Sequence, residues 1–307
     1  MIFNEAHLKF LNYLEVIKNK SPKTVEQYNR HLNKFEDFIQ EKLKTNASKF
    51  KVENITLDIA ENFRSYLYEK NRSINIKTAN AYMITLRSFL KFLEKKWYKS
   101  LSATAIDLIK AEERHVEFLN KDELKRLFEA PNTENLIWSR DLAIMECIYS
   151  TGLRISELTW LNIKDINLKR REFAVRWKWK KVRVVYLTKH AANLIQNYLE
   201  KRNDHFSPLF IRHNIKKENI DWFDDEKVRL TRFFITNMIK KYSHKAFILK
   251  NISAHTLRRS FATTLLENWA DLRAIQEMLG HASITTTQVY THVTNKKLKE
   301  VHSKFMD

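Results

Sequence analysis

Ser253-Ala254-His255-Thr256-Leu257-Arg258, followed by Leu279-Gly280-His281 and then Tyr290, is the stretch that decides how this chain is read. On a helix, His255 and Arg258 are three residues apart and share a face. Ser253 is placed to cap that helix, which puts both residues in its first turn. There the exposed N–H groups and the helix dipole favour an anion. Gly280 has the position of a helix C-cap that turns the chain and aims His281 inward. Far upstream, Thr151-Gly152-Leu153 turns the chain before Arg154, which stands at the N-terminal end of a helix predicted over Ile155 to Leu161. A single His-x-x-Arg pair arises often by chance on a surface. Five such residues, Arg154, His255, Arg258, His281 and Tyr290, make in this order a cationic pocket with one phenol beside it. That pocket suits a phosphodiester: two guanidiniums hold the non-bridging oxygens, imidazoles handle protons and a tyrosine oxygen attacks phosphorus.

Composition agrees with a polyanionic partner. The 307 residues include 55 Lys plus Arg against 36 Asp plus Glu, a net charge of +19. Neutralising phosphates releases counterions, so such binding weakens steeply with salt. The lone cysteine, Cys147, lies in an apolar stretch, permits no intramolecular disulfide and fits a reducing cytoplasm. No signal-peptide core and no long apolar run is visible, so a cytoplasmic protein without membrane contact is expected. No Gly-x-x-x-x-Gly-Lys loop occurs, which argues against ATP. Fixed cations supply the charge stabilisation, so neither a metal nor another cofactor is expected.

Apolar spacing predicts four amphipathic helices in residues 1–100. Their inward stripes include Leu8, Leu11, Leu14 and Ile17; Val25, Tyr28, Leu32, Phe35 and Ile39; Ile59, Phe63, Tyr66 and Leu67; and Ala79, Met83, Leu86, Phe89, Leu90 and Leu93. Lys23, Arg30, Lys77 and Arg87 are expected on the basic outer surface as candidate contacts to the polyanion. Residues 101–117 break the periodicity and read as a linker. A second domain, 118–307, opens with Asn120 and Glu123 in capping-box spacing. Within it an apolar helix is predicted over Arg140 to Tyr149. Phe173-Ala174-Val175 and Val182 to Leu187 read as a hairpin with a basic tip that adds Lys180, Lys181 and Arg183 to the candidate contacts. Helices are expected again over Ala191–Arg202, Leu230–Tyr242, Ala254–Asn268 and Asp271–Leu279.

The motifs Thr151-Gly152-Leu153-Arg154-Ile155-Ser156-Glu157-Leu158, Ser253 to Arg258, Leu279-Gly280-His281-Ala282-Ser283 and Thr286 to Val293 resemble the tyrosine recombinase (phage integrase) family, most closely its Xer-type members. The likeness spans nearly the whole chain. It implies a mainly α fold: an N-terminal four-helix, SAM-like core-binding domain, then a mostly α catalytic domain with a small antiparallel sheet. It also implies roles. Arg154 and Arg258 would clamp the phosphate and Tyr290 would be the nucleophile, forming a 3′-phosphotyrosine and freeing a 5′-hydroxyl. His255 would assist proton transfer, and His281 would hydrogen-bond the scissile phosphate. Lys178 would be the general acid to the leaving oxygen, with Lys180 and Lys181 as neighbours that could take its place. Glu157 would orient the pocket. The implied partners are double-stranded DNA with inverted half-sites and a homo- or hetero-tetramer on two sites. The tail Lys296 to Met306 would dock on a neighbouring subunit. Two other readings share the fold or the pocket: a type IB topoisomerase-like relaxation, and an accessory DNA-binding protein with weak or no catalysis. The resemblance leaves chromosome-dimer resolution and service to a mobile element equally open.

One departure stands out. The chain has 2 glycines and 7 tryptophans, where glycine is ordinarily roughly 7% of residues. Trp160, Trp177, Trp179 and Trp269 stand where the family usually carries glycine, with Trp97 and Trp138 as two further instances. Trp269 in particular follows a helix end and precedes Asp271, a slot that favours a left-handed residue. One expectation covers both counts: the source organism decodes UGA as glycine, and these positions are UGA codons.

Overall fold

The computed structural model describes residues 1–110, 117–131, 135–177, 181–213 and 224–280. The chain divides into two compact units, Met1–Arg114 and His115–Asp307, each with its own core.

In the first unit, α1 (Phe3–Asn12) runs into one π-helical turn, Tyr13–Ile17. Ser21 caps α2 (Pro22–Lys42), with proline at the first helical position where its missing N–H costs nothing. Thr56 caps α3 (Leu57–Lys70) and Asn75 caps α4 (Ile76–Lys95). Each helix turns an aromatic stripe inward. Phe35 meets Phe63 edge-on at 4.9 Å, and Phe89 takes both Phe3 and Phe10 edge-on at 5.6 and 5.5 Å. Such edge-to-face pairs add about 0.5–1.5 kcal/mol each beyond the area they bury. Across this core His31 Nδ1 bonds Thr85 Oγ1 at 2.8 Å, tying α2 to α4.

Residues 101–110 also belong to this unit, a correction to the expected linker. Ala103 and Ile106 are buried in its core. Asn80 donates to the Ile109 carbonyl at 2.7 Å and accepts from its N–H at 3.2 Å, while Arg64 donates to the Asp107 carbonyl. Loss of helical periodicity signals the end of α4, not the end of packing.

The second unit begins with α5 (Lys121–Glu129) under the expected Asn120–Glu123 capping box. At its centre lies α6 (Leu136–Thr151), whose residues from Ser139 onward are nearly all buried. A short α7 (Ile155–Thr159) follows. β1 (Ile166–Asn167), β2 (Glu172–Trp177) and β3 (Lys181–Tyr186) then form an antiparallel sheet in the order β1-β2-β3. Phe173 pairs with Val185, and Val175 with Arg183. Along β3, Val182, Val184 and Tyr186 face solvent while Val185 is buried, the alternation a pleat imposes. The remaining helices are α8 (Lys189–Lys201), α9 (Asp225–Val228), α10 (Arg232–Lys245), α11 (Ala254–Glu267) and α12 (Leu272–Leu279). The fold is mainly helical with a small antiparallel sheet, as expected. Among the described residues no helix is long and apolar enough to cross a membrane.

Both glycines are left-handed, Gly152 at φ 62° and Gly280 at φ 61°. So are Trp97 at φ 62° and Trp269 at φ 64°. Trp160 departs from the glycine expectation: its φ is −97° and its ring lies 5.2 Å from the Arg229 guanidinium. Trp138 sits inside α6, where nothing calls for glycine. Trp177 lies in β2, and Trp179 is outside the described residues.

Candidate active site

Three local devices bring the site together. Gly152 ends α6 in a left-handed turn, so that Arg154 becomes the N-cap of α7. Ser253 accepts from the Thr256 N–H at 3.4 Å and Thr256 Oγ1 accepts from the Ser253 N–H at 3.2 Å, which fixes the start of α11 and places His255 and Arg258 in its first turns. Gly280 ends α12 in the left-handed conformation.

The carbonyl end of α12 is where the cations converge. Arg154 Nη2 donates to the Gly280 carbonyl at 3.1 Å and Arg258 Nη2 to the Leu279 carbonyl at 2.6 Å. Arg183 Nε donates to the Met278 carbonyl at 3.0 Å. Three successive carbonyls therefore each receive one guanidinium. The last carbonyls of a helix lack intrahelical partners and carry the negative end of the helix dipole, so cations settle there. Arg258 also donates to the Gly152 carbonyl, and Gly152 precedes Arg154 by two residues. The two arginines separated by a hundred residues of sequence are thus fixed to one another through backbone that both share.

Glu157 organises the other side. Its carboxylate accepts from Arg154 N at 2.8 Å, Arg154 Nη1 at 3.0 Å, Arg183 Nη1 at 2.9 Å and Arg183 Nη2 at 2.7 Å. Burial pushes its pKa up, but the bonds and charges of Arg183 and Arg154 outweigh that and hold it below the ordinary carboxylate range. His255 is open to solvent on one side. Partial desolvation, then the positive fields of Arg258, Arg259 and Arg154, lower its pKa from the usual imidazole value. A neutral imidazole near two guanidiniums can accept a proton while the arginines attract an anion.

Of the expected site residues, Arg154, His255 and Arg258 are brought together. Lys178, His281 and Tyr290 lie outside the described residues, as do Lys180 and the tail Lys296 to Met306. Lys23, Arg30 and Lys77 are exposed on α2 and α4, and Arg87 is half-buried on α4. Lys181 opens β3. Arg183 is a correction: the basic hairpin groups it with the DNA-facing cations, yet its side chain is 9% exposed and is bonded to Glu157 and Met278. Its position opposite Val175 on the inward face of β3 was the available signal, since alternation with exposed Val182 and Val184 points it into the fold. The carbonyl cluster at the end of α12 had no side-chain signal beyond Gly280. Among the described residues no group of three or more His, Cys, Asp or Glu is placed to hold a metal ion.

Two family models match the chain: "Phage integrase family" over residues 117–297 and "Phage integrase, N-terminal SAM-like domain" over residues 8–97. The tyrosine recombinase XerC of Pelobacter propionicus is 37% identical over 300 residues, covering 96% of this chain and 93% of that protein. The tyrosine recombinase XerD of Staphylococcus aureus is 32% identical, covering 97% of each. Among solved structures, the XerA recombinase is 28% identical with a TM-score of 0.53 over 98% of each chain. The Tn1549 transposon integrase bound to transposon right end DNA superposes with a TM-score of 0.76 over 100% of each chain at 17% identity, a likeness of fold. With both its helical N-terminal unit and its arginine-bearing second unit matched, the chain belongs to the phage integrase family and is a tyrosine-type site-specific recombinase.

Proposed function

We propose that the protein cuts and rejoins DNA at specific sites through a covalent 3′-phosphotyrosine, without metal or ATP. The observation that carries this reading is the joint anchoring of Arg154 and Arg258 on the end of α12, one bond from the segment that leads through His281 to Tyr290. Paired guanidiniums neutralise the phosphate and the extra charge of a pentacoordinate transition state. The Tyr290 oxygen forms the new P–O bond as the bond to the 5′ oxygen breaks. The phenolic proton passes to a base, for which His255 is the candidate, and Lys178 protonates the departing oxygen. Rejoining reverses these steps, with a 5′-hydroxyl attacking phosphorus and the phenol leaving. The ester conserves the phosphodiester bond energy, so no nucleotide cofactor is consumed. Four protomers on two duplexes with inverted half-sites, joined through their C-terminal tails, complete the proposal.

The test is incubation with nicked half-site DNA followed by denaturation. A denaturant-stable protein–DNA adduct is expected from the native chain and none from Tyr290→Phe. Equal adduct from both removes Tyr290 from its role.

A further inference from the structure

Arg183 is the guanidinium the reaction does not call for. It lies on β3, yet all three of its nitrogens bond other parts of the unit: two to Glu157 on α7 at 2.9 and 2.7 Å, one to the Met278 carbonyl of α12 at 3.0 Å. Bidentate pairing with a carboxylate fixes orientation as well as distance. The Glu157 carboxylate that it grips is the one that receives both the backbone and the guanidinium of Arg154. The backbone it grips lies two residues before the Gly280 carbonyl that holds Arg154 Nη2. Arg183 therefore meets Arg154 by two routes, one through a carboxylate and one through a helix end. Gly280 belongs to the same arrangement: a Cβ there would lie 3.2 Å from both Cδ and Nη1 of Arg183.

We propose that Arg183 is a positioning residue for the strand-cleavage reaction, setting the Arg154 guanidinium through Glu157 and the carbonyl end of α12. The proposal rests on the reading of Arg154 as a phosphate clamp. Neutralising a buried carboxylate needs only a positive charge; holding Arg154 in one orientation needs the planar fork. Arg183→Lys keeps the charge and removes the fork, so the two roles separate.

The experiment is a double-mutant cycle on single-turnover cleavage of nicked half-site DNA at saturating protein, using Arg183→Lys, Arg183→Met, Arg154→Lys and the Arg183→Lys/Arg154→Lys pair. Half-site affinity and thermal unfolding are measured on each protein, and rates are normalised to the fraction that binds DNA. Arg183→Lys is expected to slow cleavage about tenfold or more while half-site affinity stays near that of the unmodified chain. Because Arg183 acts through Arg154, the double variant is expected to be no slower than Arg154→Lys alone. Multiplying losses in the double variant, or an unchanged cleavage rate in Arg183→Lys, overturns the proposal. Should Arg183→Met fail to fold, the Arg183→Lys arm still decides. Absence of adduct from the unmodified chain would instead remove the clamp reading on which this rests.

A separate observation carries a second inference. Trp97 N–H bonds the Glu94 carbonyl and Tyr98 N–H the Leu93 carbonyl; Trp269 N–H bonds the Leu266 carbonyl and Ala270 N–H the Leu265 carbonyl, each at 3.0–3.1 Å. Both are Schellman helix ends with tryptophan in the left-handed slot that glycine ordinarily fills, and the two residues are 95% and 58% exposed. Together with 2 glycines against 7 tryptophans, this leads us to infer that residues 97 and 269 are UGA codons decoded as glycine in the source organism. Phe247 shares the helix-end geometry at φ 53°, so backbone shape alone does not discriminate and the codons must. UGA at both positions, with a higher Tm for the Trp97→Gly/Trp269→Gly chain, is the expected result. UGG at either position overturns the inference there.

Discussion

The proton inventory of the site turns on His255. Desolvation, followed by the charges of Arg258, Arg259 and Arg154, disfavours its imidazolium. Its folded-state pKa therefore lies below the ordinary 6.5. The unfolded chain takes up this proton first as pH falls, so the contribution of His255 to stability diminishes from the ordinary value downward through the folded one. In the free protein an NMR titration should place the imidazole midpoint below 6.5. Arg259→Gln, which removes one positive field without touching the proposed clamp, should move that midpoint upward. A midpoint at or above the ordinary value would mean that the arginine fields do not reach the ring, and the base assigned to Tyr290 would lose its support. Cys147 is a contrast: burial pushes its thiol up to about 12, which makes it inert packing in α6.

At the scale of elements, the site depends on where helices stop. Gly152 ends α6, and a Cβ added there would stand 2.6 and 2.8 Å from the Phe261 ring and 2.9 Å from Leu279 Cδ2. Those side chains belong to α11 and α12, so an added methyl group requires the Phe261 ring and the Leu279 side chain to shift. The left-handed backbone adds about 1–2 kcal/mol for any L-residue, and overpacking about 1–3 kcal/mol. Gly152→Ala is therefore expected to destabilise the second unit by about 2–5 kcal/mol, seen as a lowered Tm. It should also slow cleavage, because the displaced carbonyl is one that Arg258 holds. An unchanged Tm would show that α11 and α12 yield freely. Much of this level is legible in the sequence. The caps at Ser21, Thr56, Asn120 and Ser253, the apolar stripes of α2, α3 and α4 and the β2–β3 hairpin follow from side-chain chemistry local in sequence. The first helix is a correction: of its expected stripe only Leu14 is buried, Leu8 and Ile17 face solvent, and the aromatic face of Phe3 and Phe10 packs inward instead. Long-range backbone acceptors are not legible. Nothing in the types of residues 278–280 announces that their carbonyls gather three arginines. Arg183 is misleading for the same reason, since a basic hairpin looks alike whether a given cation faces solvent or a buried Glu157. The packing of 101–110 escapes a periodicity reading because Ala103, Ile106 and Asp107 meet the first unit at irregular spacing.

Across the whole molecule, the net charge of +19 sets how binding responds to salt. Not every cation contributes. Arg183, Arg140 and Arg202 are consumed in buried or nearly buried ion pairs with Glu157, Asp141 and Asp204. Such internal cations release no DNA counterions. Lys23, Arg30 and Lys77, exposed on the helices of the first unit, are the kind that can. The two classes predict different slopes of log affinity against log salt concentration. Each phosphate that is no longer neutralised lowers the slope by about 0.9. Replacing Lys23, Arg30 and Lys77 together by glutamine should therefore flatten the salt dependence of duplex binding by up to about 2.7. Arg183→Met, which removes an internal charge, should leave the slope where it was. Fluorescence anisotropy over a salt series reads both. A triple variant with an unaltered slope would remove these three cations from the DNA interface. A slope lowered by about 0.9 in Arg183→Met would return Arg183 to the surface role that its burial against Glu157 denies it.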